Sequence, residues 1–125
     1  MSVYEYIGRF RREMQKLEDY GYAESFRIEE EIRPNRQAEI KAEVILIDGS
    51  ALHVKEYFDG RYKVTRLSYA YHYQDAAGEL IFRYDNAVHR PALGFREHKH
   101  TKDGDIREAS LPDISDIIDE IISYL

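Results

Sequence analysis

The chain has 125 residues, 43% apolar and 13% aromatic, enough to bury the core of one domain and too apolar for a disordered polymer. It has no cysteine, which excludes disulfides and thiolate chemistry. No stretch approaches the ~18 apolar residues of a membrane span, and the charged start "MSVYEYIGRFRREM" is unlike a secretory leader, so a cytoplasmic protein is expected. The net charge of −6 argues against a nucleic-acid binder taken whole, but residues 61–102 hold eight basic and four acidic residues (+4) against 10 basic and 20 acidic in the remainder (−10). A locally basic stretch on an acidic body can attract phosphate while the protein stays soluble.

Val3, Ile7, Phe10, Met14 and Leu17 recur at four- and three-residue steps, which predicts an amphipathic helix over about residues 2–20, with Gly21 as its stop. Period two follows. Phe26, Ile28 and Ile32 alternate with charged residues on a first strand that "RPN" breaks, and Ala38 to Leu46 alternate on a second. After the turn "DGS", Leu52, Val54 and Phe58 predict a third strand. "DG" at 59–60 predicts a tight hairpin into a fourth, about Tyr62 to Gln74, and "DAAG" separates that from a fifth, Glu79 to Tyr84. Ile114, Ile117, Ile118, Ile121, Ile122 and Leu125 form a helical stripe. Ser110 with Asp113 resembles a capping box, and Pro112 suits a first helical turn. Short turns between consecutive strands predict one α+β domain over 1–125, with a mainly antiparallel sheet of about five strands and a helix at each end.

Two segments carry candidate chemistry. "RLSYAYHYQ" sends Tyr69, Tyr71 and Tyr73 to one side of a strand, where they could stack on bases. Aromatics are favoured in strands as packing residues, and that reading is the stronger, for His72 among them as well. "RYDNAVHRPALGFREHKH" concentrates three of the five histidines with three arginines and no long apolar run. If "HKH" is extended, His98 and His100 share one face and Lys99 takes the other. With His89, these imidazoles have the ligand types of a zinc or other transition-metal site. Beside Arg and Lys they equally supply the parts for metal-free phosphodiester cleavage: a base for the 2′-hydroxyl, an acid for the leaving oxygen and cations for the phosphate. A solvated loop closed by Asp85 and Asn86 is the plain structural alternative.

"SYAYHYQDAAGELIFRYDNAVHRP", then "HKH" and "GDIREASLPDISDIIDEI", resembles over about residues 60–122 the TumE family of toxin components from prokaryotic toxin–antitoxin systems, small proteins encoded beside a helix-turn-helix antitoxin. Arg83, Tyr84, Asp85, Asn86 and His89 carry the resemblance, with His98, Lys99 and His100. Arg90 and Arg96-Glu97 stand where the family pattern often has a further histidine and a Pro-His pair, so nothing is carried over for those. The resemblance implies a growth inhibitor neutralised by a helix-turn-helix antitoxin, with a homodimer or a hetero-oligomer as its assembly.

Residue types and resemblance together lead to an RNA-directed toxin, a metal-independent ribonuclease without cofactor. In that reading His98 and His100 do acid/base work, Asp85 orients His89, and Arg83, Lys99, Arg90 and Tyr84 bind substrate. The rivals are a non-enzymatic binding protein acting through its partner complex and a metal-dependent hydrolase using the same histidines.

Overall fold

Val3, Ile7, Phe10, Met14 and Leu17 are all buried along α1 (Val3–Asp19). Their spacing returns them to one stripe, and burying that stripe is what holds the helix. The Ser2 hydroxyl caps its start by accepting from the Glu5 N–H at 3.1 Å, and Gly21 ends it in the left-handed region at φ 77°. The computed structural model describes residues 1–89 and 92–125. After α1 come β1 (Ala23–Arg33), a single turn at Pro34–Arg36, β2 (Gln37–Leu46), β3 (Ala51–Asp59), β4 (Thr65–Gln74), β5 (Leu80–Asp85), β6 (His98–Thr101), β7 (Ile106–Glu108) and α2 (Ile114–Ile122). The strands form one antiparallel sheet in chain order, β1 to β7. The α+β reading holds; the sheet has seven strands rather than about five.

One face of the sheet is covered by both helices. Ala38, Ile40, Val44 and Leu46 of β2 point there, as do Tyr69, Tyr71 and Tyr73 of β4 and Phe82 of β5, and they form one core cluster with the stripes of α1 and α2. The three tyrosines are at most 4% exposed, so they are core residues and not a stacking platform for bases. Their hydroxyls need partners in that core. Tyr71 donates to buried Glu56 at 2.8 Å, Tyr6 donates to the same carboxylate, and Tyr73 donates to Ser50 at 2.8 Å. Burial pushes the Glu56 carboxyl above its ordinary range, against the pull of Tyr6, Arg66 and Tyr71.

Three local expectations are corrected. The β3–β4 connection is a loop over 60–64, and β4 begins at Thr65 rather than Tyr62, which is 99% exposed. Gly60 is required by close approach: a Cβ there would lie 2.2 Å from Val3 Cγ2, while its N–H donates to the Arg36 carbonyl at 2.9 Å. At α2 the N-cap is Asp113 and not Ser110. Asp113 accepts from the Ser115 N–H at 3.1 Å, and Asp116 completes the capping box by accepting from the Asp113 N–H at 3.1 Å. Pro112 therefore lies before the helix, where its carbonyl accepts from Arg66 at 2.5 Å.

Candidate functional site

Among the described residues no helix lies on the second face of the sheet, and the register draws two rows of polar residues across it. Glu43 of β2 pairs with His53, His53 with His72, His72 with Arg83 and Arg83 with His100. The adjacent row runs Lys41, Lys55, Ala70, Asp85 and His98. Directly opposed residues of antiparallel strands share a face, so the ladder alone brings Arg83, Asp85, His98 and His100 together at the β5–β6 end.

Residues 86–89 and 92–97, between β5 and β6, then fold back over this corner. Asn86 anchors its start: the side-chain oxygen accepts from the Tyr69 N–H at 3.2 Å and the amide nitrogen donates to the Leu67 carbonyl at 3.1 Å. Arg96 reaches the same carbonyl at 2.9 Å near the far end, and the Tyr69 hydroxyl donates to Glu97. The fold-back seals Asp85 and His98, 3% and 1% exposed, and delivers His89 to the two strand histidines. Ring centroids are separated by 4.6 Å for His89–His98, 5.0 Å for His98–His100 and 5.3 Å for His89–His100.

Asp85 is the hub. One carboxylate oxygen accepts from Arg83 Nε at 2.8 Å and lies 3.5 Å from His100 Nε2; the other accepts from the Ala87 N–H at 3.1 Å and lies 2.5 Å from His98 Nε2. Burial pushes this carboxyl up, but Arg83, the Ala87 N–H and His98 outweigh it and hold it below the usual carboxylate value. His98 Nε2 also lies 3.1 Å from His89 Nε2, and His98 Nδ1 lies 2.8 Å from the Arg96 carbonyl. The pairing differs from the expected one: Asp85 grips His98, and His89 is reached through His98. Burial lowers the pKa of His100 below that of a free imidazole; Asp85 opposes this, while His98, His89 and Arg83 add to it.

Not every expected residue joins the cluster. Tyr84 and Lys99 are directly paired across β5 and β6 but point to the helix-covered face. Both bond Glu120 of α2, at 2.6 Å from the Tyr84 hydroxyl and 2.8 Å from Lys99 Nζ. Burial opposes the charge of Lys99, yet Glu120 and Tyr84 together raise its pKa above the ordinary value, and the ammonium is tied to that face. Arg90 lies outside the described residues. In place of Lys99 the open face offers Lys55, which with Arg83, Asp85, Asn86 and Val88 lines a groove of about 320 Å³ beside the cluster. His72 stands in the row of Arg83, with Nδ1 3.3 Å from Arg83 Nη1 and Nε2 3.2 Å from the Gln74 side-chain oxygen; burial and Arg83 lower its pKa. Only the register shows that His72 is the partner of Arg83 and that Lys55 stands in the row of Asp85.

Three imidazoles and a carboxylate with convergent ring nitrogens and oxygens, flanked by an arginine beside a groove, define a small α+β protein with a site suited to acid/base, phosphate or metal chemistry. The chain matches the family model "Toxin TumE" over residues 13–125 and belongs to that toxin family. It is thereby the toxin component of a toxin–antitoxin pair, with an antitoxin as its partner. No curated protein and no solved structure matches it. Among the described residues, no helix is long and apolar enough to cross a membrane.

Proposed function

We propose that this toxin stops growth by cleaving RNA in the cytoplasm, with the Asp85–His89–His98–His100 cluster as the reacting centre. The observation that carries the reading is the convergence of those four side chains with Arg83 on the uncovered sheet face, beside the groove that Lys55 borders. RNA supplies its own nucleophile, the 2′-hydroxyl, so the protein needs only to take a proton, hold the phosphate charge and return a proton to the leaving oxygen. Arg83 and Lys55 suit the phosphate. His100 and His89, partly exposed, suit proton transfer, whereas the His98 side chain is 0% exposed and suits support of the other two. The antitoxin in this reading is a helix-turn-helix protein that forms a hetero-oligomer with the toxin.

The test is cleavage of labelled RNA and of the matching DNA by purified protein. RNA cut, DNA spared and a loss of ~10²-fold or more in His100→Ala is the expected result, the usual scale for one acid/base group. Undiminished toxicity in a folded His89→Ala/His100→Ala double variant would instead mark the toxin as a non-enzymatic binding protein.

A second reading, metal-assisted cleavage at the same cluster, is favoured by one observation. Asp85, His89, His98 and His100 each bring one oxygen or ring nitrogen within 4.8 Å of the others.

A further inference from the structure

A neutral imidazole has one N–H and one lone pair. At His98 the Nδ1 atom lies 2.8 Å from the Arg96 carbonyl oxygen, an acceptor, so the ring hydrogen belongs there. Nε2, the ring's other nitrogen, faces Asp85 Oδ1 at 2.5 Å and His89 Nε2 at 3.1 Å, so it meets them either as a second N–H or as a lone pair turned to a shared cation. His100 Nε2 approaches the other Asp85 oxygen at 3.5 Å. Electron-rich atoms are thus gathered around one point inside a closed corner, and the His98 side chain that aims into it is 0% exposed. Buried polar atoms gathered this closely need positive charge among them, which a shared proton or a bound cation supplies.

We propose that His89, His98 and His100, through their Nε2 atoms, and Asp85 bind one divalent transition-metal ion of the zinc class. The four ligand atoms lie within 4.8 Å of one another. In a tetrahedral site with ~2.0–2.1 Å bonds, ligand atoms are about 3.4 Å apart, a value that lies between the 2.5 Å from Asp85 Oδ1 to His98 Nε2 or the 3.1 Å from His98 to His89 Nε2 and the 4.8 Å that bounds the set. The outer contacts fit as well. A metal-bound histidine ordinarily donates its other N–H to a carbonyl or carboxylate, as His98 does to Arg96, and a ligating carboxylate is itself hydrogen-bonded, as Asp85 is by Arg83 and the Ala87 N–H. Three imidazoles select zinc, cobalt or nickel over magnesium and calcium, which prefer all-oxygen sites. An ion held there cross-links the β5–β6 segment to the strand ends beside Arg83, where Lewis-acid help to a phosphoryl oxygen is at hand. The inference concerns the same site as the RNA reading but stands whichever polymer is cut.

The experiment is a titration of chelator-stripped, full-length protein with Zn²⁺ in competition with a chromophoric chelator, and with Co²⁺ by visible absorption. One equivalent should bind per chain, with the intense visible bands of tetrahedral cobalt. His89→Ala and His100→Ala should each weaken binding at least ~10²-fold, the upper end of what loss of even an outer-shell partner costs. His53→Ala, on the same face but outside the cluster, should leave it unchanged. His98→Ala removes a buried ring and can unfold the corner, so the two partly exposed histidines are the ones to substitute. Absence of stoichiometric binding, or binding unchanged in both of those variants, overturns the proposal. Stoichiometric, histidine-dependent binding without any RNA cleavage upholds the metal site and removes the RNA reading.

Discussion

Asp113→Ala removes two supports at once, and both can be counted from the structure. Asp113 is the N-cap of α2, accepting from the Ser115 N–H and hydroxyl, and it also holds Arg9 of α1 in a two-pronged pair at 2.8 and 2.5 Å. Loss of an N-cap costs ~1 kcal/mol. The ion pair is about a third exposed on each side, at 34% and 37%, so solvent screening limits it to ~0.5–1 kcal/mol. The sum is ~1.5–2 kcal/mol, and at ~4 °C per kcal/mol for a chain of this length, Tm should fall by about 6–8 °C in calorimetry. Asp113→Ser keeps the cap and Arg9→Ala keeps the carboxylate, so the two together separate the contributions. The pH dependence has a definite sign. Arg9 and the Ser115 bonds, opposed by burial, hold the Asp113 carboxyl far below its unfolded value of ~3.9. The pair's stabilisation is therefore complete above about pH 5 and is lost as the pH falls below ~4 toward the folded value, and Arg9→Ala should flatten that part of the curve. A Tm within 1–2 °C of the parent for Asp113→Ala, on the same ~4 °C per kcal/mol scale, would refute the reasoning.

Other outcomes follow from which face a residue occupies. Arg83→Ala should retain the fold, because the side chain is 38% exposed, yet lose ~10²-fold in RNA cleavage; an unchanged rate would remove Arg83 from the site. Lys99→Ala should keep full activity and lose no more than ~1 kcal/mol in urea unfolding, since its partner is Glu120 on the helix-covered face. Inactivity of that variant with an intact fold would contradict the assignment. Tyr71→Phe leaves Glu56 one donor short and Arg66 without its hydroxyl acceptor at 2.6 Å, and should cost ~1–3 kcal/mol by chemical denaturation with activity per folded molecule unchanged.

The sequence by itself determined the elements whose burial repeats locally. The stripes of α1 and α2 and the alternation of β2 and β3 are legible because each repeats over several turns or residue pairs. β7 is not legible because Ile106–Glu108 is too short to alternate, and the α2 cap is ambiguous because Ser110 and Asp113 have the same capping chemistry in sequence. Alternation alone also puts Tyr84 opposite Arg83 and Asp85, so the separation of Tyr84 and Lys99 from the histidines was legible in principle. The site's residue types were legible; its pairings were decided only by tertiary structure. Asp85 meets His98 because the β5–β6 register sets them opposite, while β3 and β4 bring Lys55 into the row of Asp85 and His72 to Arg83. Register is a hydrogen-bond relation between segments far apart in sequence, and a shift of one residue would send every one of these side chains to the helix-covered face. His89 joined the cluster for a similar reason, because Asn86 and Arg96 tie the crossing segment back to Leu67, a residue of another strand.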